Sequence, residues 1–325
     1  MKRALVLMLA LGVVMGCGPK PAKVDRYKIA VLPKGLVHQF WLTVNAGAEA
    51  AGKDFNAEII WKGPEKETDV AKQIGIVEDM ISRDVDAIVM AACDENALVS
   101  VLKKAADAGI PVVTIDSGVK SDVPITFVAT DNIKGAQMAA DALARLIGEE
   151  GEVGLIPFVA GAATSEMREQ GFIDGLQRYP RIKLVAKQYS QSDVAKGMAV
   201  TEDMMTANPK LKGIFAANES GAMGAAQALN VAGKTGAVKL VAFDASDEEI
   251  AALKKGAIQA LIVQNPFRMG YDGVKAAIDH LQGKPVEKRI DTGVTAVTLE
   301  NLDAPEIHKL LYPLRDVEET SVPAP

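Results

Sequence analysis

The sequence predicts an α/β protein of two doubly wound parallel-sheet lobes, and three observations lead there. Short β-branched runs alternate with longer amphipathic ones from Tyr27 onward, the rhythm restarts near residue 153, and 325 residues with 49% hydrophobic content suit two packed cores better than one. In the first half, strands are expected at 28–32, 58–61, 87–91, 112–115 and 125–129. Helices are expected over 40–55, 69–83 and 96–108, where Ala, Val and Ile recur at three- and four-residue spacing. Gly109-Ile110-Pro111 closes the third helix and lets Val112 enter a strand. In the second half, strands at 153–156, 183–187, 213–216, 239–242 and 258–263 alternate with helices over 165–178, 193–208, 221–232 and 247–255. A single eight-stranded barrel uses the same alternation over a similar length and stands as the competing architecture.

The start reads as an export signal. Met1-Lys2-Arg3 is basic, and the apolar run that follows is too short to span a bilayer comfortably. Val14-Met15-Gly16-Cys17 resembles the lipobox of bacterial lipoproteins, which makes 1–16 a signal peptide and Cys17 the lipid-bearing first residue of the mature chain. Gly18-Pro19-Lys20-Pro21-Ala22-Lys23 then suits a tether, taken as 17–26. Cys93 is the one other cysteine, so no disulfide can form within the folded part; it ends an apolar run and reads as a small buried hydrophobe. Net charge −6 and a pI near 5.3 argue against a nucleic-acid partner, which needs clustered Lys and Arg.

In doubly wound sheets ligands sit beyond the carboxyl ends of the strands, so the residues that follow each strand are the place to look for function. After the first strand comes Pro33-Lys34-Gly35-Leu36-Val37-His38-Gln39-Phe40-Trp41, and after the fourth Asp116-Ser117. In the second half, Gly161-Ala162-Ala163-Thr164-Ser165-Glu166-Met167-Arg168 follows a strand, and later strands end in Asn218-Glu219, Asp244 and Gln264-Asn265-Pro266. Carboxylates accept from adjacent hydroxyls, Arg and Lys donate, amides do both, and flat aromatic faces cover apolar C–H surfaces. That set fits a polyhydroxylated ligand. The alternative roles are ordinary ones: Asp116 as a turn or capping aspartate, Arg168 and Lys34 as solvated surface cations, His38 as a turn residue, and one of Phe40 and Trp41 as core.

These stretches, with Val112-Val113-Thr114-Ile115-Asp116, Thr130-Asp131-Asn132-Ile133-Lys134-Gly135 and Val241-Ala242-Phe243-Asp244, are collinear over most of the chain. As a set they resemble the type 1 periplasmic binding proteins of the ribose, galactose and arabinose kind. The resemblance implies polar ligand contacts at Asp116, Arg168, Asn218, Asp244 and Gln264, and an aromatic wall at Phe40 and Trp41. Lys34 resembles the pocket lysine of arabinose binders, and His38 stands where an Asn or acidic residue is more familiar. The second-lobe aromatic of ribose binders falls near Ser192, so either Tyr189 takes its place or that face is open; these three departures point away from ribose itself.

The resemblance also implies a hinge of three crossing strands, with a first lobe of 27–131 plus 265–292, a second lobe of 132–264 plus 293–315, and a tail of 316–325. It further implies a monomer that delivers a monosaccharide or sugar alcohol to the permease of an ABC transporter, touches the membrane only through its lipid anchor, and needs no cofactor. An exported sensor of a nucleoside or signalling molecule is the alternative. Enzyme signals fail on spacing. Gly233-Lys234-Thr235 lacks the earlier glycine of a phosphate loop, the first strand–helix turn lacks a dinucleotide fingerprint, and Asn218 stands where a nucleophile elbow before Ser220 needs glycine. His38, His280 and His308 have no metal-ligand spacing.

Overall fold

A computed structural model describes residues 26–313; the signal, Cys17 and the tail lie outside the described residues, as does all of the tether but Arg26. Two open six-stranded sheets carry the chain, which decides between the two predicted architectures against the single barrel. The first sheet has the order β2-β1-β3-β4-β5-β11, from β1 (Tyr27–Leu32), β2 (Ala57–Trp61), β3 (Ala87–Met90), β4 (Val112–Ile115), β5 (Thr126–Ala129) and β11 (Arg289–Asp291). The second repeats it as β7-β6-β8-β9-β10-β12, from β6 (Gly151–Ile156), β7 (Ile182–Lys187), β8 (Leu211–Ala216), β9 (Lys239–Phe243), β10 (Ala260–Val263) and β12 (Thr295–Val297). All pairings are parallel except β10 with β12. In each sheet the order reverses beside the first strand, and that switch point is where a ligand crevice opens.

The helices are α1 (Gln39–Asp54), α2 (Val70–Ser82), α3 (Val99–Asp107), α4 (Asn132–Leu146), α5 (Ala163–Leu176), α6 (Val194–Ala207), α7 (Glu219–Val231), α8 (Asp247–Lys254), α9 (Pro266–Leu281) and α10 (Pro305–Leu311). Three of them, α4, α9 and α10, go beyond the helices expected from the sequence, as do β11 and β12. Their placement shows how the chain passes between sheets. After β5 it leaves the first sheet, and α4 packs on β8, β9 and β10 of the second. After β10 it returns, and α9 packs on β1, β3, β4 and β5 of the first. The last passage joins β11 to β12.

Both α4 and α9 start on a side-chain cap, Asp131 accepting from Lys134 N–H and Asn265 from Arg268 N–H. The α1–α9 crossing is close enough to need glycine on both sides. A Cβ on Gly47 would lie 1.9 Å from the Phe267 carbonyl oxygen, and one on Gly270 would lie 2.0 Å from that of Val44. Gly109, at φ +80°, ends α3 as expected, and Gly233, at φ +65°, ends α7, which gives Gly233-Lys234-Thr235 its place as a helix-terminating turn.

Four buried apolar clusters fill the two faces of the two sheets, and each stays within one lobe. Cys93 is buried near the first sheet, where desolvation pushes its thiol up to about 12, so it is no reactive nucleophile. Hydrogen bonds cross between the lobes beside the crevice, from Lys34 to Thr164, from Ser192 to Glu67 and from Asp247 N–H to Gln39. Among the described residues no helix is long and apolar enough to cross a membrane.

Candidate functional site

The loop after β1 carries Lys34 and His38 into the crevice, and the first turn of α1 adds Phe40 and Trp41. Asp116 follows β4. From the second lobe come Arg168 on α5, Asn218 after β8, Asp244 after β9 and Gln264 after β10. All nine sequence-derived residues, with Glu67 and Phe158, line one cavity between the lobes.

Lys34 is 3% exposed. Its Nζ lies 2.9 Å from Asp116 Oδ2 and donates across the cleft to Thr164 Oγ1 at 3.0 Å. Burial works against the ammonium, but Asp116 and Glu67 outweigh it and raise its pKa. Asp116 is held at φ +53° and Asp244 at φ +91°, left-handed conformations in which an Asp is tolerated better than bulkier residues. Functional sites are where such backbone strain concentrates.

Arg168, also 3% exposed, is fixed by its own lobe. Its Nε donates to Asn132 Oδ1 at 2.8 Å and its Nη1 to the Ala217 carbonyl at 2.7 Å, while the guanidinium stacks 3.7 Å above the Phe243 ring. Asp244 Oδ2 lies 3.9 Å from Nη1, and Asp244 Oδ1 accepts from Gln264 Nε2 at 2.6 Å. Burial raises the Asp244 pKa against the pull of Arg168. Gln264 Oε1 is buried and has no hydrogen-bond partner among the described residues, so it is an acceptor open to a ligand hydroxyl. Asn218 caps α7 by accepting from Gly221 N–H and uses its Nδ2 on Ser192 Oγ and Ser220 Oγ. It serves the capping role and the cavity at once.

Phe40 and Trp41 meet edge to face, with ring centroids 4.9 Å apart. Trp41 is buried in the first-lobe core and Phe40 is half-buried, as neighbouring positions on a helix require. The opposite wall is Phe158, two residues past β6. Lys34 Nζ lies 5.3 Å and the Arg168 guanidinium 5.5 Å from its ring centre. Thus neither Tyr189 nor an open face fills the second-lobe position; Tyr189 is engaged outside the cavity, its hydroxyl donating to Glu169. Glu67, in the loop between β2 and α2, is not among the residues singled out from the sequence.

Around Glu67 the electrostatics are strong. Burial disfavours its charge, yet Lys34, His38 and Ser192 hold its carboxyl well below the usual range. Burial likewise opposes a charge on His38, but Glu67, with Glu219 and Asp244 beyond, raises its pKa to about 9. For Glu219, burial and Asp244 outweigh His38 and push the pKa up to about 7. These shifts set a pH profile. Raised above its unfolded value, His38 adds stability that is complete below about pH 6.5 and is lost as the pH climbs through 9. Glu219 acts in the same direction between about pH 4.5 and 7, and Glu67 contributes only above its ordinary value, losing its share in acid. The melting temperature is therefore expected to peak near about pH 5 to 6 and stability to fall toward pH 9, with about 3 kcal/mol of the fall due to His38. In a calorimetric pH series, His38→Gln should flatten that alkaline limb; an unaltered slope would remove His38 as its source.

Comparison with known proteins agrees with this geometry. Residues 29–285 match the periplasmic binding protein domain. The D-ribose/D-allose-binding protein of Pseudomonas aeruginosa is 36% identical over 289 residues, covering 86% of this chain and 90% of its own. Among solved structures, a carbohydrate transporter solute binding protein of Agrobacterium radiobacter in complex with D-arabinose is 37% identical with a TM-score of 0.86, covering 89% of this chain and 100% of that one. An ABC transporter solute binding protein of Agrobacterium vitis with bound D-fucose is 39% identical with a TM-score of 0.85, covering 88% and 100%. With sheet order, crevice and sequence in agreement over nearly all the described residues, the chain belongs to the periplasmic binding protein domain family.

Proposed function

We propose that the chain is an extracytoplasmic solute-binding protein that captures a monosaccharide or sugar alcohol between its lobes and delivers it to the permease of an ABC transporter. The observation that carries this reading is the convergence of polar and aromatic side chains from both lobes on one cavity. Asp116, Asp244 and Gln264 accept from ligand hydroxyls, Lys34 and Arg168 donate, and Asn218 can do either. Phe40, Trp41 and Phe158 cover the C–H faces of the ring. The relatives with D-arabinose and D-fucose bound, and the one named for D-ribose and D-allose, support a monosaccharide.

Lobes of 27–131 plus 265–292 and 132–264 plus 293–315 turn about the three chain crossings, so that closure buries the ligand and the closed form is what the permease meets. Residues 1–16 direct export, a lipid on Cys17 and the tether through residue 26 hold the monomer at the membrane, and the protein catalyses nothing itself. A ligand that binds only the folded chain stabilises it by about 2.7 kcal/mol at one hundred times its dissociation constant. A thermal-shift panel of pentoses, hexoses, polyols and nucleosides is therefore expected to show a rise with a pentose, hexose or polyol. A rise with a nucleoside alone would replace this reading by that of an exported sensor.

A further inference from the structure

At the mouth of the cleft, a ring of hydrogen-bonding side chains crosses between the lobes twice. Glu67 of the first lobe accepts from Ser192 Oγ of the second at 2.6 Å. Ser192 Oγ accepts from Asn218 Nδ2 at 2.8 Å, and the same Nδ2 donates to Ser220 Oγ at 3.2 Å. Ser220 Oγ and His38 Nε2 are 3.2 Å apart, which returns the ring to the first lobe, and His38 Nδ1 closes it 3.6 Å from Glu67 Oε1. Trp41 Nε1 anchors Glu67 by donating to Oε1 at 2.9 Å. Both oxygens of Glu67 and both ring nitrogens of His38 thus face protein partners.

A second set of contacts crosses the cleft beside the ring. Gln39 Oε1 of the first lobe accepts from Asp247 N–H at 2.8 Å, at the start of α8 in the second. In the reverse direction, the Glu219 carboxylate faces the backbone N–H groups of Gln39 and Phe40 at the start of α1, where the N-cap residue His38 makes no side-chain cap of its own. The start of α8 in the second lobe is thus completed by a side chain of the first. Ser192 is placed for its part by two successive left-handed residues, Gln191 at φ +57° and Ser192 at φ +54°. Neither Ser192 nor Ser220 lines the ligand cavity.

We propose that Ser192 and Ser220, bonded across the cleft to Glu67 and His38, form an interlobe clasp that sets the strength of binding by stabilising the closed form, with the two serines as positioning residues and not selectors of the sugar. The proposal rests on the reading that the lobes close over a ligand. A ligand held only by the closed form binds with an affinity proportional to the closed fraction, which is appreciable in the ligand-free chain when the ring holds the lobes together. The two serines act on that fraction through protein–protein bonds alone, so their loss changes all affinities by one factor. Residues that touch the ligand change them unequally.

The test uses Ser192→Ala, Ser220→Ala and the double variant, leaving the cavity lining of the full chain intact. Titration with every sugar or polyol that binds the wild type is expected to show affinity falling on the order of tenfold for Ser192→Ala, which loses a hydrogen bond to a charged group, with the same factor for each ligand. The two single losses should not add in the double variant, because both serines bond to Asn218 within one ring. Small-angle scattering of ligand-free samples is expected to show the double variant more extended than the wild type. A changed rank order of sugars would make the serines selectors and overturn the clasp, as would unchanged affinities with identical scattering. If no sugar binds the wild type, the ligand reading fails by itself, and the ligand-free scattering still decides the clasp.

Discussion

Replacing Arg168 by Ala is expected to abolish the thermal response to sugar and to lower folding stability by about 3 to 5 kcal/mol, the cost of leaving one partner of a buried ionic network behind. The guanidinium sits over Phe243 and holds both Asn132 Oδ1 and the Ala217 carbonyl. Its removal leaves that carbonyl without its side-chain donor and leaves Asp244 without its nearby cation. The neighbourhood cannot absorb the loss, since buried Glu249 already has its pKa raised by desolvation and then by Asp244 and Glu219. Arg168→Lys restores the charge without the planar fork, so it should recover part of the stability and little of the binding. Urea melts with and without ligand separate the two effects. An Arg168→Ala chain that melts like the wild type and still responds to sugar would take Arg168 out of the site.

The Lys34–Asp116 pair gives the second large effect. Asp116→Asn suits the left-handed backbone at this position but leaves the buried Lys34 ammonium with Glu67 as its main nearby carboxylate. We expect a loss of about 3 kcal/mol in stability and no measurable sugar response. Adding Lys34→Met removes the stranded charge, so the double variant should be more stable than Asp116→Asn alone while still failing to bind. A double variant less stable than the single one would mean that Lys34 owes its place to Thr164 and the aromatic rings and not to Asp116.

Much of this was legible in the residues. The alternation of β-branched and amphipathic runs marks both sheets, and reading the ends of strands locates Lys34, Asp116, Asn218, Asp244 and Gln264 without any coordinates. Phe158 stands at a strand end with the same signal as Phe40, but the family pattern points to Ser192 for the second aromatic. Glu67 is different in kind. It sits in a charged run, and its partners Trp41, Lys34 and His38 come from other segments of the first lobe and Ser192 from the second, so no local pattern marks it. The helices α4 and α9 have readable caps at Asp131 and at Asn265-Pro266, and α4 repeats small residues at helical spacing. β11 and β12 are three residues each, too short for alternation to register.

The seating of α9 on the first sheet has a consequence for how the protein is made. A chain leaving a ribosome or a translocation pore offers β1 to β5 first, but α9 and β11 arrive only after the whole second sheet up to β10 has emerged. Until then the face of the early strands that receives α9 has only α1 on it, and the glycine-lined flank of α1 has nothing to cover it. The second lobe needs less waiting, since α4 to β10 are continuous and only β12 and α10 come late. Vectorial synthesis therefore favours a half-built first lobe that stays pliable while the second lobe up to β10 is made. Such delay suits a polypeptide that must remain threadable until it reaches the far side of a membrane.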